Sequence, residues 1–301
     1  MCRLCLIFWM IATATCSSGC LSVWGERRQE EVRAARELTL RGIDASHQQE
    51  WQLATQLFSA ALDRDEDDAR TRYHYARALW ELSQREEAIA EMERAAETLR
   101  DDPYLYVELG RMYFDVGKHD EAERWALKAI NVDWHFPSGR RLYGDIHAHN
   151  RQFDAALSSY HRALAQRPDY PEVQIACAEI YRLQNRPRRA LATLESISEQ
   201  GLSRENTYQV QYFAGLAQKE LGRYSEATQS FSKALAHAAE DTNLLYHIGE
   251  SQLLDGRHAS ARMVTRDALS MDPDNNSLRS LLSRIDSDER RIAAEEGRQI
   301  R

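Results

Sequence analysis

Proline and glycine are scarce in this chain, at 6 and 13 of 301 residues. Turn-dense all-β folds use far more of both, because their hairpins need preset or positive φ. No dependable apolar–polar alternation of four or more residues replaces them, so an all-α chain is expected. Cysteine is nearly absent from the body of the protein. Cys2, Cys5, Cys16 and Cys20 crowd the first residues and leave Cys177 alone, which excludes a disulfide framework. Cys177 lies on an apolar face with no His or Lys beside it in sequence, the setting of an inert thiol. A chain bound for an oxidising compartment is expected to avoid loose thiols. Long hydrophobic runs are missing too. Residues 4–15, LCLIFWMIATAT, give a run of 12, short of the roughly 20 that a spanning helix needs. The net charge is −8 and no basic cluster stands out, which argues against a general nucleic-acid function.

Strings that carry chemistry are missing as well. There is no Gly-rich phosphate loop, HExxH or nucleophile elbow,. His147 and His149 stand two apart in one helix, so they do not share a face, and no Cys or carboxylate pair completes a ligand set. His135, His161, His237, His247 and His258 are scattered as surface or groove residues. The carboxylate runs at 63–70 (DRDEDDAR) and 85–94 (REEAIAEMER) read as solvated faces with i,i+4 partners,. No catalytic residue, metal site or cofactor is expected, and the chain is not expected to be an enzyme.

What the sequence has in abundance is a period. From Pro137 to Tyr170 it reads as one helical hairpin, and shifting by 34 residues finds the same small residues again. One column holds Gly42, Ala76, Gly110, Gly144, Ala178, Gly215 and Gly249. A second holds Ala54, Ala88, Ala122, Ala156, Ala190, Ala227 and Ala261; a third holds Ala61, Ala95, Ala129, Ala163, Ile197, Ala234 and Ala268. All steps are 34 except one of 37, with the extra three residues between Ile197 and Tyr208. Ala and Gly make up about one residue in six yet fill 20 of these 21 slots, so chance does not explain the columns. Two helices approach closely only where side chains are small. The larger Phe58, Met92, Tyr160, Leu194 and Phe231, one turn away, are expected to fill the space between hairpins. Pro168 and Pro273 are expected to stop the helices before them. A fixed period in this range signals a stack of identical supersecondary units.

The pattern resembles the tetratricopeptide repeat. Leu109, Gly110, Tyr113, Gly117 and Ala122 match its signature, as do Gly222, Ala227, Phe231 and Ala234, while its Trp slot is not kept,. The resemblance implies a right-handed solenoid of seven helix-turn-helix repeats at 35–68, 69–102, 103–136, 137–170, 171–207, 208–241 and 242–275. Residues 276–301 would be a capping helix, through Leu278, Leu281, Leu282 and Ile285, and a charged tail. It also implies that the first helices line a concave groove holding an extended peptide or a partner helix. The inward positions would be the second, fifth, sixth, ninth, twelfth and thirteenth of each repeat. In the N-terminal half they give a partner-binding set of Arg70, Tyr73, Arg77, Trp80, Tyr104, Arg111, Phe114 and Arg141 beside His74 and His149. In the C-terminal half they give Glu172, Glu179, Tyr212, Phe213, Tyr246, His247 and Glu250. A groove basic and aromatic at one end and acidic at the other is expected, with a protein partner carrying acidic and apolar residues. Pairing of some of these Arg with Asp115, Asp145 or Glu108 is the competing expectation. Thr39 and Arg77 stand where the family's chaperone-binding members place a Lys and an Asn, so a C-terminal carboxylate clamp is not implied.

Residues 1–19 read as a signal peptide, with Arg3, the apolar run and the small stretch CSSGC,. Ser18, Gly19 and Cys20 resemble a bacterial lipobox, although Ser17 replaces the usual aliphatic residue. That resemblance implies lipidation of Cys20, a tether over 20–34 and a net charge of −9 once Arg3 is removed. Leu21 follows the cysteine where Asp would retain a lipoprotein at the inner membrane, so the outer membrane facing the periplasm is the expected location. Ordinary cleavage and export, or an uncleaved anchor, remain open. The functional reading is an envelope scaffold or adaptor that binds a protein segment in its groove. The alternatives are a self-associating structural module and an enzyme with an unrecognised site.

Overall fold

All six prolines lie at helix ends. Pro103, Pro137, Pro171 and Pro187 are the first residues of helices, where the missing N–H would be unsatisfied in any case. Pro168 and Pro273 follow the C-caps Arg167 and Asp272. The computed structural model describes residues 27–198, 201–238 and 240–299; the candidate signal peptide and Cys20 lie outside them. The described residues form fifteen helices and no strand. They are α1 (27–47), α2 (Trp51–Leu62), α3 (Ala69–Glu81), α4 (Arg85–Thr98), α5 (Pro103–Asp115), α6 (His119–Val132), α7 (Pro137–His149) and α8 (Phe153–Gln166). Then come α9 (Pro171–Leu183), α10 (Pro187–Glu195), α11 (Arg204–Glu220), α12 (Tyr224–Leu235), α13 (Thr242–Leu254), α14 (His258–Met271) and α15 (Asn276–Gln299). None of them is long and apolar enough to cross a membrane. The chain divides into two compact units between Ile146 and His147, inside α7.

Within each unit the helices pack as antiparallel pairs, each pair on the next. In the first unit α3 pairs with α4 and α5 with α6. In the second, α9 pairs with α10, α11 with α12 and α13 with α14. The three small-residue columns sit where the pairs cross. Ala54, Ala88, Ala122, Ala156, Ala227 and Ala261 have no accessible surface. Space at the crossings is already used up: a Cβ on Gly42 would stand 2.6 Å from Phe58 Cε1, and one on Gly215 at the same distance from Phe231 Cε1. Phe58, Met92, Tyr160, Leu194 and Phe231 are all buried beside the columns, each such side chain contributing about 1.5–3 kcal/mol of transfer free energy.

The two ends of each hairpin are built differently. Four first helices are entered through side-chain caps, while α9 follows Tyr170 without one. Asp68, Asp102, Ser203 and Asp241 accept bonds from backbone N–H groups of α3, α5, α11 and α13, each cap worth about 1 kcal/mol. Second helices have no such cap. Instead the chain turns through one left-handed residue, at Gln49, Ser83, Gly117, Arg151, Asn185, Gly222 and Gly256, with φ from 58° to 78°. The N–H of the following residue bonds the carbonyl five residues back, as in Gln84 to Leu79 at 3.0 Å and Arg257 to Gln252 at 2.8 Å. This closes a Schellman motif at the same place in all seven hairpins.

The added three residues before Tyr208 leave the crossing columns in place. α10 is short at 9 residues, and α11 is long at 17, starting four residues ahead of Tyr208. At the C-terminus, Leu278, Leu281 and Ile285 of α15 are buried against the last hairpin, with Leu282 half-buried. The charged residues beyond Asp286 continue as helix to Gln299. At the other end, α1 reaches back to residue 27, into the stretch read as tether.

Candidate partner-binding faces

The exposed side of the first helices in each unit is where the candidate residues lie. In the first unit α3 begins at Asp68, whose carboxylate accepts from the N–H of Arg70 and of Thr71 and from the Thr71 hydroxyl. Thr71 Oγ1 in turn lies 2.7 Å from Thr39 Oγ1 of α1, fixing the register of the two helices. This places Arg70 in a cleft of about 710 Å³ with Arg36, Thr39, Leu40, Ile43, His74 and the loop acids Asp65, Asp67 and Asp68. One turn on, His74 stacks on the Phe58 ring at 5.9 Å. Burial holds its imidazole below the usual range, and Arg77 adds to that. Arg77 lies over the Tyr73 ring at 5.8 Å. Burial pushes the Tyr73 hydroxyl up, Arg77 opposes this, and Glu108 of α5 reinforces it. Tyr73, Arg77 and Glu108 therefore sit within electrostatic reach of one another across two adjacent first helices.

The rest of the predicted set divides. Tyr104 is 69% exposed and meets Phe136 edge-on at 4.6 Å, leaving an open ring face. Trp80 is covered by the Arg85 guanidinium at 3.9 Å, whose Nη1 also donates to the Trp80 carbonyl at 2.8 Å. Phe114 is engaged edge-on by His119. Arg111 pairs with Glu108 at 3.5 Å and Arg141 with Asp145 at 3.6 Å, each on its own helix. The pairings named in the competing expectation are thus present for those two. Arg70 and Arg77 are exposed and carry no carboxylate partner among the described residues.

In the second unit the expected acidic end is offset at Glu250. Glu250 accepts from Lys219 Nζ at 2.8 Å, from the Tyr246 hydroxyl at 3.2 Å and from Arg284 Nη1 at 3.3 Å. Burial pushes its carboxyl up, but the bonds from Lys219, Arg284 and Tyr246 outweigh that and hold it below its ordinary range. Arg182 pairs with Glu220 at 3.0 Å. Glu172 accepts from Asn206 at 3.3 Å, and Glu179 is exposed. His247 repeats the arrangement at His74, stacked on Phe231 at 5.2 Å and flanked by Tyr212 and Tyr246. Its Nδ1 lies 3.3 Å from Lys219 Nζ. An ammonium only donates, so Nδ1 accepts and the ring proton is on Nε2. Burial, with Lys219 adding to it, pushes the imidazole down to about 4.

Three residues that matter to this face went unnamed in the sequence. Arg182 and Lys219 occupy the twelfth position of their repeats, and Arg284 lies 34 residues after Glu250; reading the whole column into the cap would have found them. A second correction concerns the missing basic cluster. Arg186, Arg188 and Arg189 are exposed together at the start of α10. Cys177 is buried and its thiol is pushed up to about 12 by desolvation, as an inert thiol should be.

Family models described as tetratricopeptide repeat match residues 45–106 and 148–208, 103–133, and 212–276. The chain belongs to the tetratricopeptide repeat family. It is 23% identical over 184 residues to the TPR repeat-containing protein YpiA of Bacillus subtilis, covering 61% of this chain and 43% of that one. It spans less than half the length of the curated relatives it matches. Among solved structures it resembles the APC/C hetero-tetramer Cut9–Hcn1, with a TM-score of 0.63 and 14% identity over 85% of this chain and 47% of that one. It also resembles YrrB, described as a TPR protein with an unusual peptide-binding site, with a TM-score of 0.53 and 16% identity over 62% of this chain and 95% of that one. At these identities the structures establish the tetratricopeptide fold, and the family is one of generally non-enzymatic protein-interaction scaffolds.

Proposed function

We propose that this chain is a scaffold that holds an extended or helical segment of a protein partner on the first-helix face of its N-terminal unit. The observation that carries the reading is the pair of exposed cations Arg70 and Arg77, neither in an ion pair among the described residues, together with the exposed Tyr104 ring on the next first helix. Arginine and aromatic side chains on an open surface are the usual interface anchors. Arg77 and Arg111 hold equivalent positions in adjacent repeats, which sets them on the order of 10 Å apart. An extended chain advances about 3.3–3.6 Å per residue, so acidic residues three apart would reach both. Tyr73, Trp80, Tyr104 and Phe114 would flank a large apolar side chain between them, and Arg70 and Arg141 would extend the basic track.

The test is fluorescence anisotropy of extended peptides carrying Asp or Glu at i and i+3 and one Trp or Leu. The double change Arg77→Ala and Arg111→Ala should weaken binding and flatten its salt dependence, with helical content unchanged. A partly desolvated Arg–carboxylate contact is worth about 1–3 kcal/mol, so the loss should be roughly tenfold or more. Glu179→Ala should do less. Unchanged binding by the double variant across salt would move the site elsewhere.

The proposal has a second part, supported by sequence alone. Cys20 would carry lipid and hold the scaffold at the outer membrane facing the periplasm, close to the bilayer. Cys20→Ser should release the protein from the membrane fraction or leave an unprocessed precursor. An unmodified mature N-terminus beyond Cys20 by intact mass would refute it.

A further inference from the structure

The arginines at the start of α10 do not serve their own helix. Arg186 is its N-cap residue, and Arg188 and Arg189 lie in its first turn with no acidic residue there. Cations at a helix N-terminus oppose the macrodipole. Four other second helices follow the favourable rule, with Glu86 and Glu87 in α4, Asp120 and Glu121 in α6, Asp154 in α8 and Glu226 in α12. All three arginines are exposed, and none has an ion-pair partner among the described residues. By contrast Arg182 and Arg223, their neighbours, are matched by Glu220 and Glu226. Two clefts adjoin the ridge. One of about 550 Å³ is lined by Asn185, Pro187, Leu221 and the three arginines, and one of about 350 Å³ shares Arg188 and Leu221 with Leu191, Ala192, Arg223 and the single acid Glu195. A basic rim over an apolar floor fits a chain segment, which brings side chains as well as charge.

The chain itself carries the complementary segment. The loop between α2 and α3, residues 63–68, reads Asp-Arg-Asp-Glu-Asp-Asp. Asp68 is spent on capping α3. Asp63, Glu66 and Asp67 are exposed and Asp65 is half-exposed, and none has an ion-pair partner among the described residues. We propose that this chain associates with a second copy of itself, the acidic loop 63–68 of one copy seating on the arginine ridge Arg186, Arg188 and Arg189 of the next. The two patches are different surfaces, so the contact is heterologous and propagates head to tail into short chains or a ring. Being built of rim charges, it should be weak and strongly sensitive to salt, with a screening length of about 10 Å at 0.1 M.

Analytical ultracentrifugation of the full-length protein in mild detergent, over protein concentration and from low to high salt, tests this. Wild type should show concentration-dependent growth in mass that disappears as salt rises. The triple change Arg186→Glu, Arg188→Glu and Arg189→Glu should abolish growth. It puts acids where the helix dipole favours them, so loss of folding would not account for the result. Asp65→Lys with Asp67→Lys should also leave a monomer, and mixing the two reversed proteins should restore association, because each then offers the other's complement. Arg77→Ala with Arg111→Ala should associate like wild type, which separates this contact from the proposed partner face. A wild-type protein monomeric at all concentrations in low salt overturns the proposal. So does growth that survives both reversals, a mixture that stays monomeric, or a ridge that binds vesicles containing phosphatidylglycerol without self-association.

Discussion

The two units carry the same stacked motif in opposite electrostatic company. In each, a glycine at the crossing admits a phenylalanine, and the histidine of the following repeat stacks on that ring: Gly42, Phe58 and His74 in one, Gly215, Phe231 and His247 in the other. Beside His74 stands Arg77, exposed and without a carboxylate. Beside His247 stands Lys219, bonded to a largely buried Glu250 that Arg284 and Tyr246 also serve. One face leaves Arg70 and Arg77 without a carboxylate partner among the described residues; the other engages Arg182 and Lys219 internally. The difference shows that the charge of one column within one repeat is a poor guide to surface potential, because neighbouring repeats supply the compensation: Lys219 from the repeat before Glu250 and Arg284 from the helix after it.

The crossings should not distinguish the units. Ala122→Leu in the first and Ala156→Leu in the second both overpack a site with no accessible surface, and each should cost about 1–3 kcal/mol or more. Thermal melts that moved for one and not the other would show that the packing register differs between the halves.

The electrostatic contrast should appear next. Lys219→Ala leaves Glu250, 15% exposed at its side chain, short of its best partner, and should cost about 1–3 kcal/mol. Arg77→Ala removes an exposed side chain and should stay within about 0.5 kcal/mol. Equal losses in denaturant unfolding would erase the distinction between the faces.

Acid should sharpen the same contrast. The His247 imidazole is pushed down to about 4 from an ordinary 6.5. The unfolded chain then binds the proton more readily than the folded one, so the contribution is complete above pH 6.5 and is lost as pH falls towards 4. Discounted for partial exposure, the loss should be about 1–2 kcal/mol. His247→Phe should remove that part of the pH dependence of stability, and a curve unchanged by it would assign the acid sensitivity elsewhere.

The fold was plain in the sequence because a helix crossing tolerates almost nothing but Gly or Ala, and seven repeats of that demand leave columns no composition bias can mimic. The Schellman turns were not, since the left-handed position is held by Gly117, Gly222 and Gly256 but also by Gln49, Ser83, Arg151 and Asn185. A backbone demand worth about 1 kcal/mol does not dictate a residue type as a clash at 2.6 Å does,. The candidate face was half legible for a related reason. Periodicity names the side on which Arg77 and Arg111 lie and offers Glu108 as a partner, but not which arginine takes it: Glu108 pairs with Arg111, while Arg77 lies over the Tyr73 ring.

The smallest expected effect tests those turns in both units. A Cβ on Gly117 or Gly256 would meet nothing within 4 Å, so Gly→Ala there should cost only the left-handed backbone penalty, about 1 kcal/mol. Ser83→Gly and Arg151→Gly relieve that penalty and should stabilise by less than about 1 kcal/mol. Melting temperatures that fell for the two glycine insertions would mean that the native side chains contribute more than the backbone costs.

The terminal helix carries the period past the last hairpin. Arg284 stands 34 residues beyond Glu250 and touches it, while Leu278, Leu281 and Ile285 meet the face that an eighth first helix would meet. α15 therefore takes the place of a first helix against the last hairpin. A duplicated 34-residue hairpin spliced in ahead of Asn276 would find a ready-made surface on either side, so the array can be lengthened by copying without designing a new interface.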